Sequence, residues 1–105
     1  MTKLATEDSD VLHDPDESRY EIYEGSELAG FAAYSRSNGA VTFTHTEIGA
    51  AFEGRGLAGR LIKAALDDVR QRQLQAVPLC PFVAAYVRRH PEYRDLVEVR
   101  QEESG

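Results

Sequence analysis

The hydrophobic period of this chain changes once, and that change dictates its architecture. Up to Ile48 the pattern is that of strands. RYEIYE (19–24) alternates, Gly25-Ser26-Glu27 forms a turn, and LAGFAAYSR (28–36) continues as a second strand. Ser37-Asn38-Gly39 is a hairpin turn, and AVTFTHTEI (40–48) is rich in β-branched and aromatic residues. Val11-Leu12-His13 adds a short strand that Asp14-Pro15 breaks. Beyond Gly56 the period becomes helical: Ala58, Leu61, Ile62, Ala65, Leu66 and Val69 share one face, with Arg60, Lys63, Asp67, Arg70 and Gln71 opposite. This predicts a helix over 57–73. AVPLC (76–80) is a short apolar strand, and Pro81 suits the first position of a second helix, PFVAAYVRR, which His90-Pro91 ends. The order β-β-β-β-α-β-α describes an α+β domain: an antiparallel meander, then loop, helix, strand and helix around a central mixed sheet. The crossover helix joins two parallel strands.

At 105 residues the chain is one domain with room for one modest core. Its net charge of −6 belongs to the ends: residues 1–18 hold six acids against Lys3, and 98–105 hold three against Arg100. We therefore expect a flexible acidic leader at 1–10, a folded domain at 11–97 and a flexible acidic tail at 98–105. No dense basic stripe suggests nucleic acid, no apolar run reaches the ~20 residues of a membrane span, and the first residues lack a signal-peptide core. The single cysteine, Cys80, excludes an internal disulfide. With nothing directing the chain elsewhere, a reducing cytoplasm is expected. The three histidines are far apart in sequence, so no metal is expected.

Between the two regimes lies EGRGLAGRL (53–61), which spells G-x-G-x-x-G at Gly54, Gly56 and Gly59. A dinucleotide fold would need this loop in an early βαβ unit, with an acid about 20 residues on. Here the loop follows hairpins, and AVPLC carries no acid. A P-loop fails as well, for want of Gly-Lys-Ser/Thr. What remains is a glycine loop opening a helix, with Arg55, Arg60 and Lys63 beside it. Backbone N–H groups and the positive helix end would suit a pyrophosphate. A glycine turn needed only for tight strand–helix packing explains the loop about as well.

The sequence resembles the GNAT superfamily of acetyltransferases, whose acetyl-CoA loop reads Q/R-x-x-G-x-G/A after a strand. Glu53-Gly54-Arg55-Gly56-Leu57-Ala58 matches at Gly56 and Ala58 and departs at Glu53. It is more similar still to a small single-domain GNAT-like family of N-acetyltransferases, through HDPDESRYE (13–21), FTHTEI (43–48), FEGRGLAGRLIKAAL (52–66) and VPLCPFVAAYVRRHPEY (77–93). The resemblance implies a minimal GNAT-like fold that moves an acetyl group from acetyl-CoA, the cosubstrate, to an amine. It assigns Gly54, Arg55, Gly56, Leu57, Ala58, Gly59 and Arg60 to the pyrophosphate and Ile48 to backbone pairing with the pantetheine.

Four side chains are candidates for the chemistry. Cys80 precedes a Pro-initiated helix, whose positive end would favour a thiolate, and the resemblance makes it a candidate to accept the acetyl group. A buried core cysteine is the plain alternative. His45 and Glu47 share a strand face about 7 Å apart, placed to deprotonate an amine or to draw it in; a solvated His–Glu pair is the alternative. The resemblance makes Tyr86 a donor to the departing thiolate, against a core tyrosine with its hydroxyl at the surface. Arg88, Arg89 and His90 could meet the CoA 3′-phosphate or simply end a helix in solvent. His13 has no assigned role. The rival function is a CoA-binding or protein-interaction module with little catalysis, since the chain lacks the helix pair that follows the first strand in larger GNAT enzymes.

Overall fold

A computed structural model describes residues 3–97. Six strands form one sheet in sequence order: β1 (Leu4–Ala5), β2 (Val11–Asp14), β3 (Arg19–Glu24), β4 (Glu27–Ser37), β5 (Ala40–Ile48) and β6 (Gln75–Pro78). The first five pair antiparallel and β6 pairs parallel to β5, so the sheet is mixed as the sequence predicts. The crossover between β5 and β6 is α1 (Leu57–Gln71), which packs against β2 through β6. After β6, α2 (Pro81–Arg89) packs on β5 and β6, and a single turn, α3 (Arg94–Val97), packs on β6.

One core lies between the sheet and the helices. Tyr20, Ile22, Ala32, Val41 and Phe43 from the sheet meet Leu61, Ile62, Leu66 and Val69 of α1. Val83 of α2 and Leu96 of α3 close its end. The 3.6-residue stripe of α1 is what lets one helix span so many strands. α1 ends two residues short of the predicted 73, because Gln73 adopts a left-handed conformation at φ 60° and turns the chain toward β6.

The acidic leader, expected to be flexible, makes specific contacts with the fold. Leu4 and Ala5 pair with His13 and Leu12 to form β1. Lys3 donates to the carboxylate of Glu21, and Arg60 on α1 donates to Asp8 and Asp10. Opposite charges on the fold thus face the acids of this segment. The expected tail at 98–105 lies outside the described residues.

Two departures from regular pairing shape the functional end of the sheet. In the β4–β5 ladder Ala33 faces His45 while Tyr34 faces Phe43, so Thr44 is an extra residue and forms a β-bulge. A bulge inverts the side-chain alternation beyond it. Val41 and Phe43 point into the core, but after the bulge Thr46 and Ile48 face the helices while His45 and Glu47 are exposed on the opposite face. The second departure is a splay. β6 pairs with β5 only over Ala40–Phe43, and the Cys80 N–H to Phe43 carbonyl bond, 2.9 Å, ends the contact. Beyond it the Thr44–Ile48 edge of β5 lacks a neighbouring strand on that side, among the described residues.

Candidate functional site

The loop from Gly49 to Gly56 brings the chain from β5 into α1. A short 3₁₀ turn, Ala50–Phe52, starts it, and Gly54 (φ 84°) and Gly56 (φ 76°) carry it through left-handed conformations that glycine adopts without a Cβ penalty. Gly56 is the N-cap of α1, and no side chain caps this helix end. In a helix the first N–H groups lack intrahelical partners. Here those of Leu57, Ala58 and Gly59 form a donor set at the positive end of a helix of 15 residues. A Cβ built on Gly54, Gly56 or Gly59 would meet nothing within 4 Å, so the approach to this set is open.

That donor set faces a cleft of about 710 Å³ between the loop, α1 and α2. Ile48, Gly54, Gly56, Leu57, Ala58, Gly59 and Arg60 line it on the loop side, and Tyr86 lines it from α2. Eight of the expected site residues thus share one surface. Ile48 sits there because Gly30, its partner across the ladder, has no side chain: a Cβ on Gly30 would collide with Ile48 and with the Glu47 carbonyl. The cleft also takes in Phe52, Lys63, Phe82, Arg89 and His90. Of these, the loop cation Lys63 and the helix-end residues Arg89 and His90 had a sequence signal. Phe52 and Phe82 had none, since an aromatic in a loop or at a helix start is read first as core.

Each basic side chain near the loop already has a carboxylate partner. Arg55 turns out of the cleft to pair with Glu24, Arg60 pairs with Asp8 and Asp10, and Lys63 pairs with Asp67 one helical turn on. Tyr86 is mostly buried, and burial pushes its hydroxyl up from the ordinary tyrosine value while Lys63 pulls it back. Its ring stacks on His90 at 3.9 Å, and His90 Nδ1 donates to the Tyr86 carbonyl at 2.9 Å. That bond fixes the imidazole against the helix end.

Cys80 is the N-cap of α2 and only 5% exposed. It does not line the cleft, although its neighbour Phe82 does. Its sulfur lies 3.4 Å from the Thr46 hydroxyl, a contact the bulge creates. Burial pushes the Cys80 thiol up. The Thr46 hydroxyl and the backbone N–H groups of Val83, Phe82 and Thr46 outweigh burial and hold the thiol below its ordinary value. Thr46 went unnoticed in the sequence, where strict alternation would put it on the outer face.

His45 and Glu47 need the opposite correction. They bond to each other at 3.1 Å, both side chains are 59% exposed, and His45 packs beside Phe31 on the face away from the helices. The structure does not bring them to the cleft or to Cys80, because the bulge turns them out. Among the described residues, no three His, Cys, Asp or Glu side chains are grouped as a metal ion would need, and no helix is long and apolar enough to cross a membrane.

A family model described as GCN5-related N-acetyl-transferase matches residues 19–96. The chain belongs to this family. Over 51 residues it is 43% identical to Protein NATD1 of Xenopus tropicalis and to Protein NATD1 of Homo sapiens. These matches cover 49% of this chain and 47% and 45% of those proteins, so the chain spans about half the length of the curated relatives it matches. The NMR structure of a GCN5-like protein from Staphylococcus aureus superposes with a TM-score of 0.62 at 20% identity, covering 77% of this chain and 81% of that one. A GNAT family acetyltransferase from Brucella melitensis, solved in complex with acetyl-CoA, superposes with a TM-score of 0.56 at 23% identity, over 68% of this chain and 49% of that one. At these identities the structural likenesses establish the GNAT fold.

Proposed function

We propose that the protein transfers an acetyl group from acetyl-CoA to an amine. The observation that carries this reading is the continuity of the cleft: it runs from the uncapped N-terminus of α1 to Ile48 on the strand edge that β6 leaves free. The N–H groups of Leu57, Ala58 and Gly59, with Gly54 and Gly56 keeping the approach open, would hold the pyrophosphate. The free edge of β5 at Ile48 would pair with the pantetheine amides as an added strand does. The Brucella melitensis protein of the same fold was solved with acetyl-CoA, which supports this choice of donor.

Cys80 lies where β5 and β6 part, and Thr46 and the start of α2 favour its thiolate. In the relayed route the Cys80 thiolate attacks the acetyl carbonyl, the bond to the CoA sulfur breaks, and CoA leaves as a thiolate that Tyr86 would protonate. The neutral amine then attacks acetyl-Cys80, which regenerates the thiolate and releases the amide and a proton. His45 and Glu47, exposed on the opposite face of the sheet, take no part in this route, and the proton passes to solvent. Replacement Cys80→Ala is expected to lower acetyl-CoA turnover by about 10²-fold with an identified amine. Full turnover in that variant would eliminate the relay and leave direct attack on acetyl-CoA.

One observation favours a second reading, a CoA-binding module with little catalysis: Cys80 is 5% exposed and outside the cleft lining. Calorimetry with CoA, combined with an amine screen by mass spectrometry, separates the two. Binding without an acetylated product on any amine would favour the module.

A further inference from the structure

The turn between β1 and β2 is tied to the cleft through one guanidinium. Arg60 Nε donates to Asp8 Oδ2 at 3.0 Å, and Arg60 Nη2 donates to Asp8 Oδ1 at 2.8 Å and to Asp10 Oδ2 at 2.7 Å. Two carboxylates on one arginine exceed what charge balance needs. The turn is also built to present them. The Asp8 carbonyl accepts from the Val11 N–H at 2.9 Å, the Asp10 N–H bonds Asp8 Oδ1 at 3.1 Å, and the Thr6 hydroxyl bonds the Asp8 carbonyl at 3.0 Å. Arg60 in turn lines the cleft beside the N-terminus of α1. The other loop cations are paired in the same manner, Arg55 with Glu24 and Lys63 with Asp67. A phosphate entering beside the glycine loop meets cations that are already paired, and it must exchange with a carboxylate to use them; Arg89 lines the same cleft from α2.

We infer that the Asp8–Asp10 turn is an intramolecular competitor for the phosphate-bearing ligand of the cleft, holding Arg60 until the ligand displaces it. The inference rests on the cleft being the site of a CoA-type ligand. Linkage makes the effect reciprocal: a ligand that takes Arg60 weakens the hold on β1, and a segment that binds β1 more tightly weakens the ligand.

The test is calorimetric titration of CoA into three proteins: wild type, Asp8→Asn/Asp10→Asn, and that double variant carrying Arg60→Gln. Asparagine keeps the size and most of the hydrogen bonding of the turn but removes its charge. The double variant is expected to bind CoA about threefold to fivefold more tightly in low salt, the range for partly exposed ion pairs. The gain should shrink at high ionic strength and disappear when Arg60→Gln is added. General loss of stability cannot produce this result, because it would weaken binding. Equal or weaker CoA binding by the double variant overturns the inference and leaves the site reading intact. Binding by the double variant alone would support it in its strongest form. If neither protein binds CoA, the site reading falls and takes this inference with it.

Discussion

Thr46 shows how one hydroxyl can bias the ionisation of a nearby thiol. It reaches Cys80 from the strand, while the N–H groups of Phe82 and Val83 reach it from the helix. Removing the hydroxyl without changing shape, by Thr46→Val, leaves burial to push the thiol up. The pH midpoint of Cys80 alkylation by iodoacetamide is therefore expected to rise, with Thr46→Ser restoring it. An unchanged midpoint would show that the helix end alone sets the thiolate. Sequence reasoning singled out Cys80 by its place before a Pro-initiated helix, and Cys80 is the N-cap of that helix. It missed Thr46 because a β-bulge leaves no mark in composition: Thr44 is an ordinary strand residue, and only pairing with β4 shows that it is extra.

At the level of elements, most boundaries were legible because each has a chemical cause. β3 and β5 have the predicted limits, Arg19–Glu24 and Ala40–Ile48, since a glycine turn follows β3 and glycines flank β5, and α2 starts at Pro81 as predicted. β1 was hidden, because two residues in an acidic stretch have no periodicity and are placed only by long-range pairing. The start of α1 offers a test of its glycines with opposite signs. Gly56 is left-handed, so Gly56→Ala is expected to destabilise the fold by about 1–2 kcal/mol. Gly59 lies inside the helix with open space at its Cβ, so Gly59→Ala should stabilise by about 0.5–1 kcal/mol. Its methyl would nonetheless project into the cleft and weaken CoA binding. Urea unfolding and calorimetry on both variants check the two signs, and a Gly59→Ala protein that is both more stable and equally good at binding would remove that glycine from the site.

Across the whole molecule, acid is the condition under which the fold should fail. The Glu21 side chain is fully buried on the outer face of the sheet beneath Lys3, Arg19 and Tyr23. Burial raises its carboxyl, but hydrogen bonds from Lys3, Arg19 and Tyr23 prevail and bring it down to about 2. Its folded value is below its unfolded one, so its stabilisation is complete above the ordinary glutamate range and is lost as pH falls from about 4.5 toward 2. His13 acts in the same direction at higher pH. Burial, and then Arg72, depress its imidazole below 6.5, so stability begins to decline as pH drops through that value. Urea titrations at pH 7 and pH 3 should differ by about 2–3 kcal/mol, and Glu21→Gln should flatten the lower part of that dependence. The bulge at Thr44 has a consequence on another timescale, that of descent with modification. A point substitution changes one side chain, whereas gain or loss of a single residue in β5 exchanges the faces of every side chain beyond it. Among relatives of this chain, a one-residue gap between Phe43 and Thr46 would therefore signal a greater change of chemistry than several replacements there.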